Sequence, residues 1–129
     1  MTAAPDVLVT CLCAGWCTTC TAYQATMASL AAAWPQVRFA WIDIEDDSDA
    51  LGDDALDIEN FPTVMIQRAS AAGPEQLFFG TLLPHGSTLQ RTLEALQAGS
   101  LAAGSPVPPD MARAVWRLGP QRPLPARKD

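Results

Sequence analysis

The chain carries two cysteines separated by two residues, in the segment Trp16-Cys17-Thr18-Thr19-Cys20. An apolar run precedes this segment, and apolar residues recur at helical spacing after it. Two cysteines in the first turn of a helix can close a disulfide. The unpaired N–H groups at a helix start favour a negative charge, which lowers the pKa of Cys17 from about 8.5 toward neutrality. Cys17 is therefore a candidate nucleophile, and Cys20 is a candidate resolving thiol.

The elements that must position these cysteines follow from hydropathy and from the breaking residues Pro and Gly. The pattern predicts the order β-α-β-α-β-β-α, with helices able to cover both faces of a sheet. The tract Ala69–Pro74 is predicted to join the last two strands as a hairpin with a long loop, and Ser87 or Thr88 to cap the last helix. The predicted strands are Val7–Cys13, Val37–Ile44, Thr63–Gln67 and Leu77–Leu82, and the first two helices are Cys17–Trp34 and Asp49–Ile58.

Charge and proline divide the chain into two parts. Its 129 residues suit one domain. Residues 1–105 hold three basic and twelve acidic residues, a charge of −9, whereas residues 106–129 hold five basic and two acidic residues, a charge of +3. We predict a domain at 1–105 and a basic, proline-rich tail at 106–129. The overall charge of −6 argues against nucleic acid and membrane surfaces as partners.

The tail contains one segment with helical periodicity, from Pro109 to Leu118. Asp110 is predicted to cap this helix, and Met111, Val115 and Leu118 to share one of its sides. The helix is expected to dock onto the domain, to replace cover that the domain lacks, or to bind a partner. Residues 119–129 are expected to be disordered.

A second motif, Phe61-Pro62-Thr63, stands at the start of the third predicted strand. Proline there can adopt the cis form and turn the preceding backbone outward, where a substrate peptide could pair with it, although an ordinary trans proline is the simpler interpretation. Taken with Trp16-Cys17-Thr18-Thr19-Cys20, and with Gly80 in the fourth strand, it resembles the thioredoxin family over about residues 6–98. The resemblance implies a thioredoxin-like α/β fold with a four-stranded mixed sheet flanked by helices.

The same resemblance assigns roles to individual residues. It implies that Cys17 is the nucleophile, that Cys20 is the resolving thiol, and that Trp16, Phe61, Pro62 and Gly80 contribute to substrate binding. Many family members begin with an additional strand and helix, which this sequence is expected to lack. Thioredoxins also usually bury an aspartate six residues before the first active-site cysteine, and Cys11 stands there instead. Proton transfer to Cys20 must then use water or another group, or be slower.

Cys11 and Cys13 lie two apart on a predicted strand, so they point to the same face. The simplest interpretation is two small buried apolar residues. They could also form a second redox pair, or a relay of electrons to the Cys17–Cys20 disulfide. A third possibility is zinc held by all four thiolates, although the apolar strand offers no turn to wrap an ion. A disulfide between the two is not expected, because neighbours on a flat strand fit that geometry poorly.

The favoured function is that of a thiol–disulfide oxidoreductase that reduces protein disulfides. No Lys or Arg precedes the apolar run Val7–Trp16, so we interpret it as a core strand rather than an export signal and expect a cytoplasmic protein. The partners are then protein disulfides and a reductase or dithiol protein that donates electrons. We expect a monomer with no cofactor and no metal. The alternative is a binding or assembly module on the same scaffold, whose cysteines are sensory or incidental.

Overall fold

The computed structural model describes residues 7–14, 18–52, 63–71, 73–81, 86–100 and 107–124. Four strands and four helices lie in these ranges, and the chain runs through them in the predicted order. Their bounds are β1 Val7–Cys13, α1 Thr18–Ala33, β2 Arg38–Asp43, α2 Ser48–Leu51, β3 Thr63–Ser70, β4 Gly73–Thr81, α3 Gly86–Ala98 and α4 Pro109–Leu118.

The strands form one mixed sheet in the order β2-β1-β3-β4. β1 pairs in parallel with β2 and antiparallel with β3, and β3 pairs antiparallel with β4. Every residue of β1 after Val7 is buried, because helices cover both sides of this central strand. The prediction of a four-stranded mixed sheet flanked by helices is confirmed.

Alternation along β1 divides the core into two layers. Val9, Cys11 and Cys13 point to the side that α1 and α3 cover, which we call the sulfur face. Leu12 points to the opposite side, the tail face, where α2 and α4 lie. Among the described residues, two apolar clusters correspond to these two faces, and each is covered by its own pair of helices.

α4 confirms the amphipathic helix predicted in the tail. Its residues Met111, Val115 and Leu118 are buried on the tail face, and the buried Gln67 of β3 donates from Nε2 to the carbonyl of Ala112 at 2.8 Å. α4, which lies beyond residue 105, therefore packs into the apolar core on the tail face of the sheet.

The cap predicted for α4 is wrong, because Pro108 occupies the N-cap position. Asp110 lies inside the first turn and pairs with Arg113. Pro109 at the first helical position explains the start, since its fixed φ suits a helix and its missing N–H would have had no partner there.

The chain after α4 continues along the edge of the sheet. Gly119–Gln121 form a 3₁₀ turn, and the carbonyl of Arg122 accepts a hydrogen bond of 2.9 Å from the backbone N–H of Trp41 in β2. The guanidinium of Arg122 also binds both carboxylate oxygens of Asp47. The prediction of disorder is therefore wrong for residues 119–124, whereas residues 125–129 lie outside the described ranges.

Three other local predictions differ from the structure. β3 ends at Ser70 and β4 begins at Gly73, so fewer residues join the two strands than expected. Gly73 has a positive φ of 113°, which glycine adopts without strain. α2 ends at Leu51, followed by Gly52 at positive φ, and the rest of the predicted helix Asp49–Ile58 lies outside the described residues. α3 already begins at Gly86, so neither Ser87 nor Thr88 is its cap.

Candidate active site

The last residue of β1 and the first turn of α1 meet on the sulfur face. Cys13 ends the strand, and Cys20 is the third residue of the helix. Their sulfurs form a disulfide, with the Cα atoms 5.9 Å apart, a separation typical of such bonds. The bond ties the C-terminal end of the central strand to the N-terminal turn of the longest helix described.

The orientation of Cys20 follows from its place in the apolar stripe of α1. Thr18 and Thr19 are exposed, whereas Cys20 is buried together with Tyr23 and Met27 at helical spacing. Cys20 therefore faces the sheet. Cys13 faces α1, because the odd-numbered residues of β1 point to the sulfur face. Helical and strand periodicities together bring the two sulfurs into contact.

Cys11 places a third sulfur in the same cluster. Its Sγ lies 3.2 Å from that of Cys13, and the side chain is completely buried. Because the sulfur of Cys13 carries no proton while it is in the disulfide, Cys11 is the donor in this contact. The relative exposures of Cys13 and Cys20 are each 1%, so a folded protein substrate cannot reach any of the three sulfurs directly.

Tyr23 lies in the same layer, one turn along α1 from Cys20. Burial, and to a smaller extent the negative charge that Cys11 carries once its thiol ionises, raise the pKa of Tyr23 above its ordinary value. Its phenol therefore stays protonated at neutral pH. The hydroxyl has no hydrogen-bond partner within the part of the chain that the structure describes.

The structure bears on only some of the site residues predicted from sequence. Trp16, Cys17, Phe61 and Pro62 lie outside the described residues, so the Cys17–Cys20 pair and the cis-proline remain predictions. Gly80 lies in β4 opposite Val64 and is partly exposed.

The simplest interpretation of Cys13 was a small buried apolar residue. Cys13 is buried, but it also forms a disulfide with Cys20. Sequence reasoning missed this pairing. The signal that could have found it is the periodicity of the two elements. It directs the side chain at the end of the first strand and the one in the first turn of the helix into the same apolar layer.

The zinc hypothesis required four thiolates. Cys13 and Cys20 are joined in the structure, and sulfurs in a disulfide lack the charge with which cysteine binds zinc. In the ranges that the structure describes, no three His, Cys, Asp or Glu side chains are grouped so that they could hold a metal ion. Nor is any helix in those ranges long and apolar enough to cross a membrane.

A mixed four-stranded sheet, with a disulfide-forming cysteine in the first turn of the helix that follows its central strand, defines a thioredoxin-like domain. The family model described as Thioredoxin matches residues 1–80, so the chain belongs to the thioredoxin family. Family and fold support oxidoreductase chemistry in general. No curated protein matches the chain.

Solved structures show the same fold. Thioredoxin from Trypanosoma brucei brucei is 22% identical with a TM-score of 0.59, and the match covers 74% of this chain and 79% of that one. Trichomonas vaginalis thioredoxin is 20% identical with a TM-score of 0.59, covering 74% and 81%. The germline-specific thioredoxin Deadhead from Drosophila melanogaster is 18% identical with a TM-score of 0.58, covering 71% and 82%.

Proposed function

We propose that the protein reduces disulfides of other proteins, with Cys17 as the nucleophile and Cys20 as the resolving thiol. The observation that supports this most strongly is the position of Cys20. It is buried in the first turn of α1, and its sulfur takes part in a disulfide. A sulfur in this place can complete an exchange reaction that the neighbouring Cys17 begins, while remaining protected from substrates itself.

The reaction consists of two thiol–disulfide exchanges. The thiolate of Cys17 attacks one sulfur of the substrate disulfide, a mixed disulfide forms, and the other substrate sulfur leaves as a thiolate. The thiolate of Cys20 then attacks the sulfur of Cys17 and releases the second substrate thiol. Two electrons pass from the protein to the substrate, and the protein is left with one disulfide. A reductase or a dithiol protein must then supply two electrons to restore both thiols.

The helix start favours the ionised form of Cys17. This residue directly precedes Thr18, the first residue of α1, and the first turn of α1 contains no acidic residue. The positive end of the helix dipole is therefore not opposed by a carboxylate of the same turn. A thiolate at this point is the reactive form for attack on a disulfide.

A groove formed by Trp16, Phe61, Pro62 and Gly80 would hold the substrate. A cis peptide bond before Pro62 would leave the preceding backbone free to pair with an extended peptide segment. Gly80 fits such a groove because it lies on the neighbouring strand, is partly exposed and has no side chain to block a peptide. The proposal also includes a monomer in the cytoplasm, where cysteine pairs of this kind serve catalysis or sensing.

The alternative of a binding module depended in part on a tail available to hold a partner. The apolar side of α4 is instead buried against the sheet, which leaves the reductase proposal with the stronger support.

The experiment is the reduction of insulin by dithiothreitol, followed by turbidity. The wild-type protein should accelerate precipitation of the insulin chains, and Cys17→Ser should lower the rate to that of dithiothreitol alone. Ser29→Ala changes an exposed residue of the same helix and should leave the rate unchanged. The proposal fails if the wild-type protein gives no acceleration, or if Cys17→Ser retains it.

A further inference from the structure

Cys20 has two possible disulfide partners. The structure joins it to Cys13, whereas the proposed catalytic cycle joins it to Cys17. A sulfur takes part in only one disulfide at a time, so the two bonds exclude each other. Whenever Cys13 and Cys20 are joined, Cys17 is released from Cys20.

We propose that Cys13 is a further catalytic thiol, which takes Cys20 over from Cys17 after substrate reduction and moves the disulfide into the protein interior. This inference rests on the proposed function, because it concerns the fate of the disulfide that the function produces. It assigns a chemical role to a residue of β1 that lies outside the cysteine motif itself.

The step is a balanced exchange within one molecule. The thiolate of Cys13 attacks Sγ of Cys20, the bond between Cys20 and Cys17 breaks, and Cys17 leaves as a thiolate. One disulfide is lost and one is formed, so no electrons enter or leave the protein. The proton lost by Cys13 passes to solvent or to Cys17. The Cα atoms of Cys13 and Cys20 are 5.9 Å apart, within the usual range for a disulfide, so the packing of α1 on β1 accommodates the new bond.

Burial and charge favour the Cys13–Cys20 bond, which we call the inner disulfide, over the Cys17–Cys20 bond. Cys13 and Cys20 are almost completely buried among apolar side chains, where a neutral disulfide is tolerated and a thiolate is costly. The start of α1 stabilises a thiolate at Cys17 instead. The exchange therefore leaves the charge at the helix start and places the uncharged bond in the core.

The consequence is an oxidised protein that still presents a reactive thiol. Substrate thiols cannot reach the inner disulfide, because both of its sulfurs are 1% exposed. Oxidation of substrates by the protein is thereby suppressed. Reduction by a donor begins with the reverse exchange, in which the thiolate of Cys17 attacks Sγ of Cys20 and Cys13 leaves as a thiolate. A thiolate of the donor then attacks the sulfur of Cys17, and a second exchange on the donor sulfur completes the transfer of two electrons to the protein.

The test maps the disulfides of the full-length protein after one round of oxidation. Reduced protein is mixed with insulin, quenched at intervals with N-ethylmaleimide and digested with chymotrypsin. Trypsin is unsuitable because the first basic residue is Arg38, which leaves all four cysteines in one peptide. Cleavage after Trp16 and Tyr23 separates Cys13 from a peptide that contains Cys17 and Cys20.

The two disulfides then give different products. The Cys17–Cys20 bond gives a single looped peptide, whereas the Cys13–Cys20 bond gives two linked peptides with N-ethylmaleimide on Cys17. The looped peptide should appear first and be replaced by the linked pair. Accumulation of the looped peptide alone, with no linked pair at any time, would overturn the proposal.

Variants separate the exchange from direct oxidation. Cys13→Ala should give the looped peptide only, and Cys11→Ala, the matched change two residues away on the same face, should still give the linked pair. In Cys17→Ser, insulin should no longer produce the Cys13–Cys20 bond, because both sulfurs are buried. Formation of that bond at the wild-type rate in Cys17→Ser would contradict the route. The mapping of wild-type protein remains decisive if Cys13→Ala does not fold.

A parallel sample oxidised with diamide distinguishes the two possible failures. If insulin oxidises no cysteine but diamide gives the looped peptide and then the linked pair, the proposed function fails and the exchange stands. If insulin is reduced but both oxidants give only the looped peptide, the exchange fails and the proposed function stands.

Discussion

On the sulfur face, α1 covers β1 with a stripe that includes Cys20 and Tyr23, whereas on the tail face α4 covers the same strand mainly with aliphatic side chains. The cover of the sulfur face is local in sequence, because α1 follows β1 after a short connection. The cover of the tail face comes from the other end of the described chain.

This difference separates two requirements of the site. The sulfur face supplies the reacting groups, and its sulfurs meet because adjacent segments of the chain pack against each other. The tail face supplies cover for the other side of the central strand, which would otherwise meet water. The reacting sulfurs thus come from segments adjacent in sequence, β1 and α1. The packing that holds β1 in place also depends on α4, which is distant in sequence. The predictions below test that division.

Removal of residues 106–129 should have the largest effect. Among the buried side chains that it deletes are three large ones, Met111, Val115 and Leu118, each worth about 1.5–3 kcal/mol of burial. Their sum approaches the roughly 5–15 kcal/mol that stabilises a typical domain. We expect the shortened protein to lose its cooperative thermal transition, followed by circular dichroism, and its insulin-reducing activity with it.

The matched control for this truncation ends the chain after Leu124. It keeps α4, the 3₁₀ turn and the contacts of Arg122, and it should melt close to the full-length protein. A protein of residues 1–105 that melts cooperatively at the wild-type temperature would show that the tail face needs no cover from α4.

The order of elements could be predicted because strong local patterns mark it. The apolar, β-branched run Val7–Cys13 matches β1 residue for residue, and the amphipathic pattern of Met111, Val115 and Leu118 identified α4. Element ends were less predictable, as Gly86 and Pro108 show, because a helix start depends on local backbone geometry as well as on residue type.

The Cys13–Cys20 disulfide was missed for a different reason. A motif with two intervening residues directs attention to Cys17 as the partner of Cys20, and the competing partner lies on another element. Its proximity depends on how α1 packs on β1, which is a tertiary property. The path of the chain beyond Leu118 was missed likewise, since the hydrogen bond from Trp41 to Arg122 joins residues far apart in sequence.

A change at Gly119 tests how closely the tail approaches β1. A methyl group at this position would lie 2.5 Å from Cδ2 of Leu8, which is itself buried. Gly119→Ala should lower the free energy of unfolding by about 1–3 kcal/mol, the usual cost of overpacking. Denaturation with urea measures the change.

The rescue for Gly119→Ala is a smaller residue at the other side of the contact. Leu8→Ala alone should destabilise the protein by leaving a cavity, but the double variant should lose less stability than the sum of the two single changes. Simple additivity of the two changes would mean that the tail and β1 are not in close contact at this point.

The smallest expected effect concerns the ion pair between Asp47 and Arg122, whose closest oxygen and nitrogen are 2.8 Å apart. The hydrogen bond from Arg122 lowers the pKa of Asp47 below its ordinary value. A carboxyl whose pKa is lower in the folded state contributes stability above its unfolded pKa, near 3.9, and loses that contribution as the pH falls through its folded pKa. Asp47→Asn should therefore melt at a lower temperature than wild type at pH 7, and the difference should shrink toward pH 3.

The exposed Asp46, changed to asparagine, is the matched control and should leave the melting temperature at pH 7 nearly unchanged. Equal losses for Asp47→Asn at both pH values would show that this charge does not fasten the tail to the sheet, and the attachment would then rest on α4 and the hydrogen bond at Trp41 alone.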